Sequence, residues 1–213
     1  MFASRAEAGK LLAEKLRRLP LTIDTVLGIP RGGVLVATAI ARELAVTCAP
    51  IVTKKLSAPK NKELAIGAVS SNSQLFDEVL IAKLGVGHDY LQKEIEVKQA
   101  ACRKREWILA PYRLVIKGKT VVLTDDGVAT GWTLQVAIEE VKRGQPATII
   151  IALPVAPAEI ADSIRRLASP CIILAEPAEF KAVGQFYRNF HEVSDQEVVR
   201  VLQAVRKRNP INL

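Results

Sequence analysis

The 213-residue sequence predicts an α/β fold built on a doubly wound, mostly parallel sheet. Three observations carry this. Short β-branched apolar runs alternate with stretches of helical periodicity, the order that yields a parallel sheet. Two of those runs end in glycine-bearing turns that open directly into helices, at Pro30-Arg31-Gly32-Gly33 and at Asp125 to Thr133. With 49% apolar residues the chain can bury a sizeable core, and one domain over residues 1–213 is the expected organisation.

The elements follow in order. Arg5 to Arg18 places Ala8, Leu12, Leu16 and Leu19 at helical spacing and stops at Pro20. Thr25 to Ile29 reads as a strand, followed by the Pro30–Gly33 turn and a helix from Val34 to Leu44. Cys48 to Lys54 reads as the next strand. The stretch from Lys55 to Phe76 reads as a long loop, with Pro59, Gly67, three serines and a possible strand at Ala65 to Val69. Lys54, Lys55, Lys60 and Lys62 fall within nine residues there; such loops serve as lids or simply carry solvated charge.

Asp89 to Leu109 is a long amphipathic helix, with Leu91, Ile95, Cys102 and Ile108 directed at the core. Its Lys98, Arg103, Lys104 and Arg105 face either solvent or a partner. Val121 to Leu123 is a strand of the kind buried on both faces, and Trp132 to Arg143 is the helix beyond its turn. A strand at Ala147 to Leu153, a helix at Ala158 to Leu167 and a strand at Cys171 to Leu174 complete the sheet. Ser194 and Glu197 form a capping-box pattern for a last helix, Asp195 to Arg206.

The chemistry concentrates at VVLTDDGVATGWT, residues 121–133. Gly127 and Gly131 let main chain approach a ligand, and the open amides of the following helix attract an anion such as a phosphate monoester. Thr130 and Thr133 add hydroxyl donors. Ionised Asp125 and Asp126 only accept hydrogen bonds; they repel phosphate and suit vicinal sugar hydroxyls. The bland alternative is a surface turn with an ordinary helix cap. At the other turn, Gly32 and Gly33 leave amides open, and the Arg31 guanidinium offers a planar grip on phosphate oxygens.

Composition narrows the remaining classes. Cys48, Cys102 and Cys171 are scattered and odd in number, which argues against a disulfide set, and His88 and His191 are too isolated to complete a zinc site. No apolar run approaches the roughly 20 residues of a membrane span, so no membrane association is expected. The amino end reads as an amphipathic helix rather than a signal peptide, making a reduced cytoplasm the expected compartment. The formal charge of +8 favours anionic partners, but only 5% of residues are aromatic and none interleave with basic runs, so nucleic acid is not the expected partner.

The joint order of apolar strand, acid pair, threonine, glycine, threonine and helix resembles the phosphoribosyl pyrophosphate loop of the type I phosphoribosyltransferases, most closely their general, poorly assigned branch. The resemblance implies a Rossmann-like fold with a flexible lid loop over about residues 55–76 and a small C-terminal hood over about 176–190 plus the last helix. It implies that Asp125 and Asp126 hold the ribose hydroxyls, and that Gly127, Val128, Ala129, Thr130, Gly131, Trp132 and Thr133 hold the 5-phosphate. By the same resemblance Arg31, Gly32 and Gly33 contact pyrophosphate, with Lys54 or Lys55 receiving it as it leaves. Phe180, Phe186 and Tyr187 of the aromatic tail are the candidates for an acceptor pocket.

Mg²⁺ is the implied cofactor, held mainly by ligand and water rather than by direct protein ligands. The implied partners are phosphoribosyl pyrophosphate, a small nitrogenous acceptor and a second copy in a homodimer. Hypoxanthine-guanine transferases carry an aspartate at the place of Ala129; alanine cannot move a proton, which argues against a 6-oxopurine handled in that way. The alternative is a regulator of the same fold that senses the sugar pyrophosphate and binds RNA, DNA or a protein without turnover.

Overall fold

Strands and helices alternate as the sequence predicts in the computed structural model, which describes residues 1–208; residues 209–213, the end of the predicted domain, lie outside the described residues. Along the chain come α1 (Arg5–Leu16), β1 (Thr25–Gly28), α2 (Gly32–Leu44), β2 (Thr47–Pro50), β3 (Lys54–Ala58), β4 (Asn61–Val69) and β5 (Gln74–Phe76). Then follow α3 (Glu78–Lys83), α4 (His88–Leu109), β6 (Thr120–Thr124), α5 (Trp132–Arg143), β7 (Thr148–Val155), α6 (Ala158–Arg165), β8 (Cys171–Ala175) and α7 (Asp195–Arg208).

Five strands form one sheet in the order β2-β1-β6-β7-β8, every pairing parallel. Alternate side chains enter two cores, as a twofold strand repeat requires. Val26, Val122, Ile150 and Ala152 pack with α1 and α2 on one face. Leu27, Val121, Leu123, Ile151 and Leu153 meet Leu134, Ala137, Ile138 and Val141 of α5 and Ile164 of α6 on the other. Such two-sided burial explains why these strands read as continuous apolar runs. The chain runs outward from β1 to β2 and later inserts β6 on the other side of β1, so the switch point lies between β1 and β6.

The reading of Lys55 to Phe76 as a long loop is corrected. Residues 54–76 form a three-stranded antiparallel sheet, β3-β4-β5, rather than a loop, and the strand expected over Cys48–Lys54 divides into β2 and the start of β3. Leu56, Ala58, Ile66 and Val69 are buried against Ile95, Cys102 and Leu109 of α4. The Glu140 carboxylate of α5 accepts bonds from Ser70 Oγ (2.9 Å) and Asn72 Nδ2 (2.8 Å), tying the β4–β5 turn down. A register shift after Leu56 breaks the alternation that would have betrayed these strands.

Smaller differences have local causes. In α4 Leu109 is buried (2%) and Ile108 is not (37%), because the helix turns the former toward Tyr112. Ser194 Oγ accepts the Glu197 amide as predicted (3.1 Å), but the Glu197 carboxylate pairs with His191 Nε2 (3.0 Å). Among the described residues no helix is long and apolar enough to cross a membrane.

α1 and α2 cross at Gly9, where an added Cβ would lie 2.6 Å from Ala39 Cβ and 2.7 Å from the Val36 carbonyl. Gly9→Ala gains helix propensity of about 1 kcal/mol, but the clash involves main chain and outweighs it. The expected result is a net loss of about 1–3 kcal/mol in urea denaturation; an unchanged midpoint would show that the helices part freely.

Candidate functional site

The parallel register pairs Gly28 with Thr124, which places the turns after β1 and β6 side by side at the carboxyl edge of the sheet. The Ile29 amide donates to the Thr124 carbonyl (3.0 Å) and locks them together. Open α/β sheets bind ligands at this kind of switch point. Contact here is tight enough to exclude side chains: a Cβ on Gly33 would lie 2.7 Å from Asp125 Oδ1, and one on Gly32 only 1.8 Å from Asp126 Oδ2. The Pro30–Arg31 peptide bond between them and β1 is cis.

The two acids differ in company. Asp125 Oδ1 accepts the Asp126 amide (2.8 Å). Burial, and then the neighbouring Asp126 charge, raise its pKa well above the ordinary carboxylate value; the Asp126 amide and Arg5 act in the opposite direction. Asp126, whose side chain is 16% exposed, meets the Arg5 Nε at 2.7 Å. Arg5 is itself buried, donates Nη1 to the His191 carbonyl (3.0 Å) and lies 3.9 Å from the centre of the Phe190 ring. Arg5, 121 positions away, is not among the site residues expected from the sequence.

The phosphate-loop candidates form a partly open turn. Gly127 and Val128 are buried, the Val128 amide donating to Val155 (3.0 Å), while Ala129 and Thr130 face solvent and Trp132 and Thr133 are half-buried. Gly131 caps α5 at φ 84° without a side-chain bond. The first helical bond is from Gln135 to Gly131 (2.9 Å), so the amides of Trp132, Thr133 and Leu134 precede the ladder and suit an anion.

Around this edge lie the predicted cations. Arg31 Nη2 pairs with Glu192 Oε1 (2.6 Å), but Glu192 is 82% exposed, which makes the pair weak. Lys54 is half-buried; burial first, then Arg105, Lys98 and Arg31, push its pKa below the usual lysine value. Lys55 follows it, half-buried, on β3. A cleft of about 380 Å³ is lined by Arg5, Arg31, Gly32, Phe190, His191 and Glu192. The acids meet it through Arg5 and Gly32 rather than lining it themselves.

The predicted acceptor aromatics are only partly brought there. Tyr187 is buried, packs on Phe2 and Phe190, and donates its hydroxyl to the Asp126 carbonyl (2.6 Å), so it serves the acid turn's main chain. Phe180 and Phe186 pack on each other at 5.3 Å. Phe190, passed over in the sequence, is the tail aromatic that lines the cleft.

Comparison with known proteins agrees with this geometry. Residues 3–189 match the family described as phosphoribosyl transferase domain. Two Mycobacterium tuberculosis proteins, from strains CDC 1551 / Oshkosh and H37Rv, are 34% identical over 97% of the chain, and their names give phosphoribosyl transferase as a provisional assignment. The chain spans about half their length (47%). A Thermus thermophilus protein of known crystal structure is 35% identical, with a TM-score of 0.78 over 95% of this chain and 98% of its own. The Giardia lamblia APRTase complexed with 9-deazaadenine shares the fold at 14% identity and a TM-score of 0.50, over 82% of this chain and 80% of its own.

The raised pKa of Asp125 gives a stability effect of definite sign. Between the ordinary carboxylate value of 3.8 and the raised one, the native state keeps a proton that the unfolded state has lost, so stability falls as pH climbs through that window. Asp125→Asn removes this penalty and still accepts the Asp126 amide. The variant is expected to melt above the parent at pH 8, the gap closing as pH falls toward 4; a gap independent of pH in thermal scans would contradict the assignment.

Proposed function

Because this chain belongs to the phosphoribosyl transferase domain family, we propose that it transfers 5-phosphoribose from phosphoribosyl pyrophosphate to a nitrogenous acceptor and releases pyrophosphate. The observation that carries the reading is the meeting of the acid turn and the Gly32–Gly33 turn at the sheet's switch point. In the reaction the bond from the anomeric carbon to pyrophosphate oxygen breaks as the bond to acceptor nitrogen forms, and the nitrogen loses a proton. Positive charge grows on the sugar ring while a polyanion leaves.

Each end has a stabiliser in this chain. Asp125 and Asp126 accept from the ribose hydroxyls and favour the ring's cationic character. The turn from Gly127 to Thr133 holds the 5-phosphate by open amides and hydroxyls. Arg31, the Gly32 and Gly33 amides, and Lys54 with Lys55 receive the departing pyrophosphate. Phe190 lines the cleft that the acceptor would enter.

No cluster of three metal-ligating side chains occurs among the described residues, and the donors that are present suit Mg²⁺ in one way. Two adjacent carboxylates share a single buried cation, so a hard divalent ion beside them that keeps most of its waters offsets the surplus charge. When bound, it supplies charge neutralisation for the pyrophosphate. A homodimer and a cytoplasmic setting belong to the same reading.

Pyrophosphate release from the sugar pyrophosphate and magnesium, assayed with a panel of bases, tests the reading. Asp126→Asn is expected to lower turnover about a hundredfold or more. Because Arg5 then loses its ion-pair partner, the variant also melts lower, so turnover is compared below both transitions. A second reading, a sensor without turnover, is favoured by Arg5 already occupying Asp126. Retained binding of the sugar pyrophosphate with no release for any base would select it.

A further inference from the structure

Arg5 lines a second cavity of about 210 Å³, whose walls include Leu35, Thr38, Ala39 and Arg42 of α2 and Val201 of α7. It contains neither acid of the turn after β6 and no residue of the phosphate loop. No acidic residue lines it, whereas two arginines do. The Arg42 side chain has no ion-pair partner among the described residues. Arg5 spends Nε on Asp126 and Nη1 on His191, leaving Nη2 without a hydrogen bond among the described residues.

Such walls select for chemistry. Two planar forks suit a carboxylate, which they grip through paired N–H groups. Leu35, Ala39 and Val201 suit a short apolar body beside that grip. We propose that this cavity binds a small monocarboxylate with a short apolar chain through Arg5 and Arg42, and that its occupancy draws the Arg5 guanidinium off Asp126. The binding stands apart from the phosphoribosyl reading; the effect on sugar affinity rests on it.

Butyrate serves as the probe on the full chain, followed by calorimetry and by the Nε–H resonance of Arg5. Saturable binding is expected, with displacement of that resonance, and Arg42→Gln should weaken it about tenfold, the worth of one charge-assisted hydrogen bond. Arg42→Lys should retain part of the affinity, a point charge replacing the fork. Butanol binding as tightly as butyrate, inorganic phosphate binding in its place, affinity undiminished in Arg42→Gln, or an unmoved Arg5 resonance would each overturn the proposal.

Coupling supplies a further readout. Butyrate should tighten binding of the magnesium-loaded sugar pyrophosphate, and the sugar should tighten butyrate by the same factor. Arg42→Gln should leave sugar binding alone intact. Failure of the parent to bind the sugar at all would sink the phosphoribosyl reading, while the butyrate titration and the Arg5 resonance would still decide this one.

Discussion

The site hangs on a steric condition: the carboxyls of Asp125 and Asp126 occupy the space in which side chains at positions 33 and 32 would stand. Parallel pairing of β1 with β6 sets that condition, because it brings both turns to the same level of the sheet edge. Two loops distant in sequence therefore share one wall. The glycines matter here less for unusual dihedral angles than for having nothing beyond Cα, and the acid positions follow from what the glycines omit.

Charge then divides the two acids. Both lie in a protein-packed edge, yet one buried guanidinium faces them, and its closest contact is with Asp126. Asp125 is left to bear burial and its neighbour's field together, which shifts its protonation upward. An arrangement optimised for folding alone would place a single acid, or none, beside Arg5. Retaining two keeps an unresolved negative charge at the edge, and sugar hydroxyls with a hydrated divalent ion are the partners that would resolve it. On the proposed reading, stability is set against function at these two adjacent residues.

Much of this was legible in the sequence, for reasons that can be named. The core strands showed because burial on both faces leaves no room for polar residues, and α5 was bounded correctly because Gly131 and Gly144 flank it. The acid pair and both glycine turns stood out because their residue types are contiguous. The antiparallel sheet did not: lysines, Pro59 and a register shift obscure its alternation. Arg5 was hidden too, since its contact with Asp126 spans 121 positions. One signal was available. A cation in the first turn of a helix opposes the macrodipole, so an arginine there asks for an acid elsewhere.

The tail and the amino end complete the enclosure as one piece. Phe2 exchanges main-chain bonds with Phe186 (2.7 Å) and Arg188 (2.8 Å), while the Tyr187 hydroxyl between them reaches the Asp126 carbonyl. Phe190 lies a few residues on, under the Arg5 guanidinium that holds the same aspartate. The cleft's aromatic wall and the acid turn are thus linked twice, through a hydroxyl and through a cation. A change in the tail that shifts Phe190 must disturb Arg5, and through it Asp126. On the proposed reading, selection of an acceptor and grip on the sugar would for that reason not be separable, although the residues concerned lie at opposite ends of the sequence.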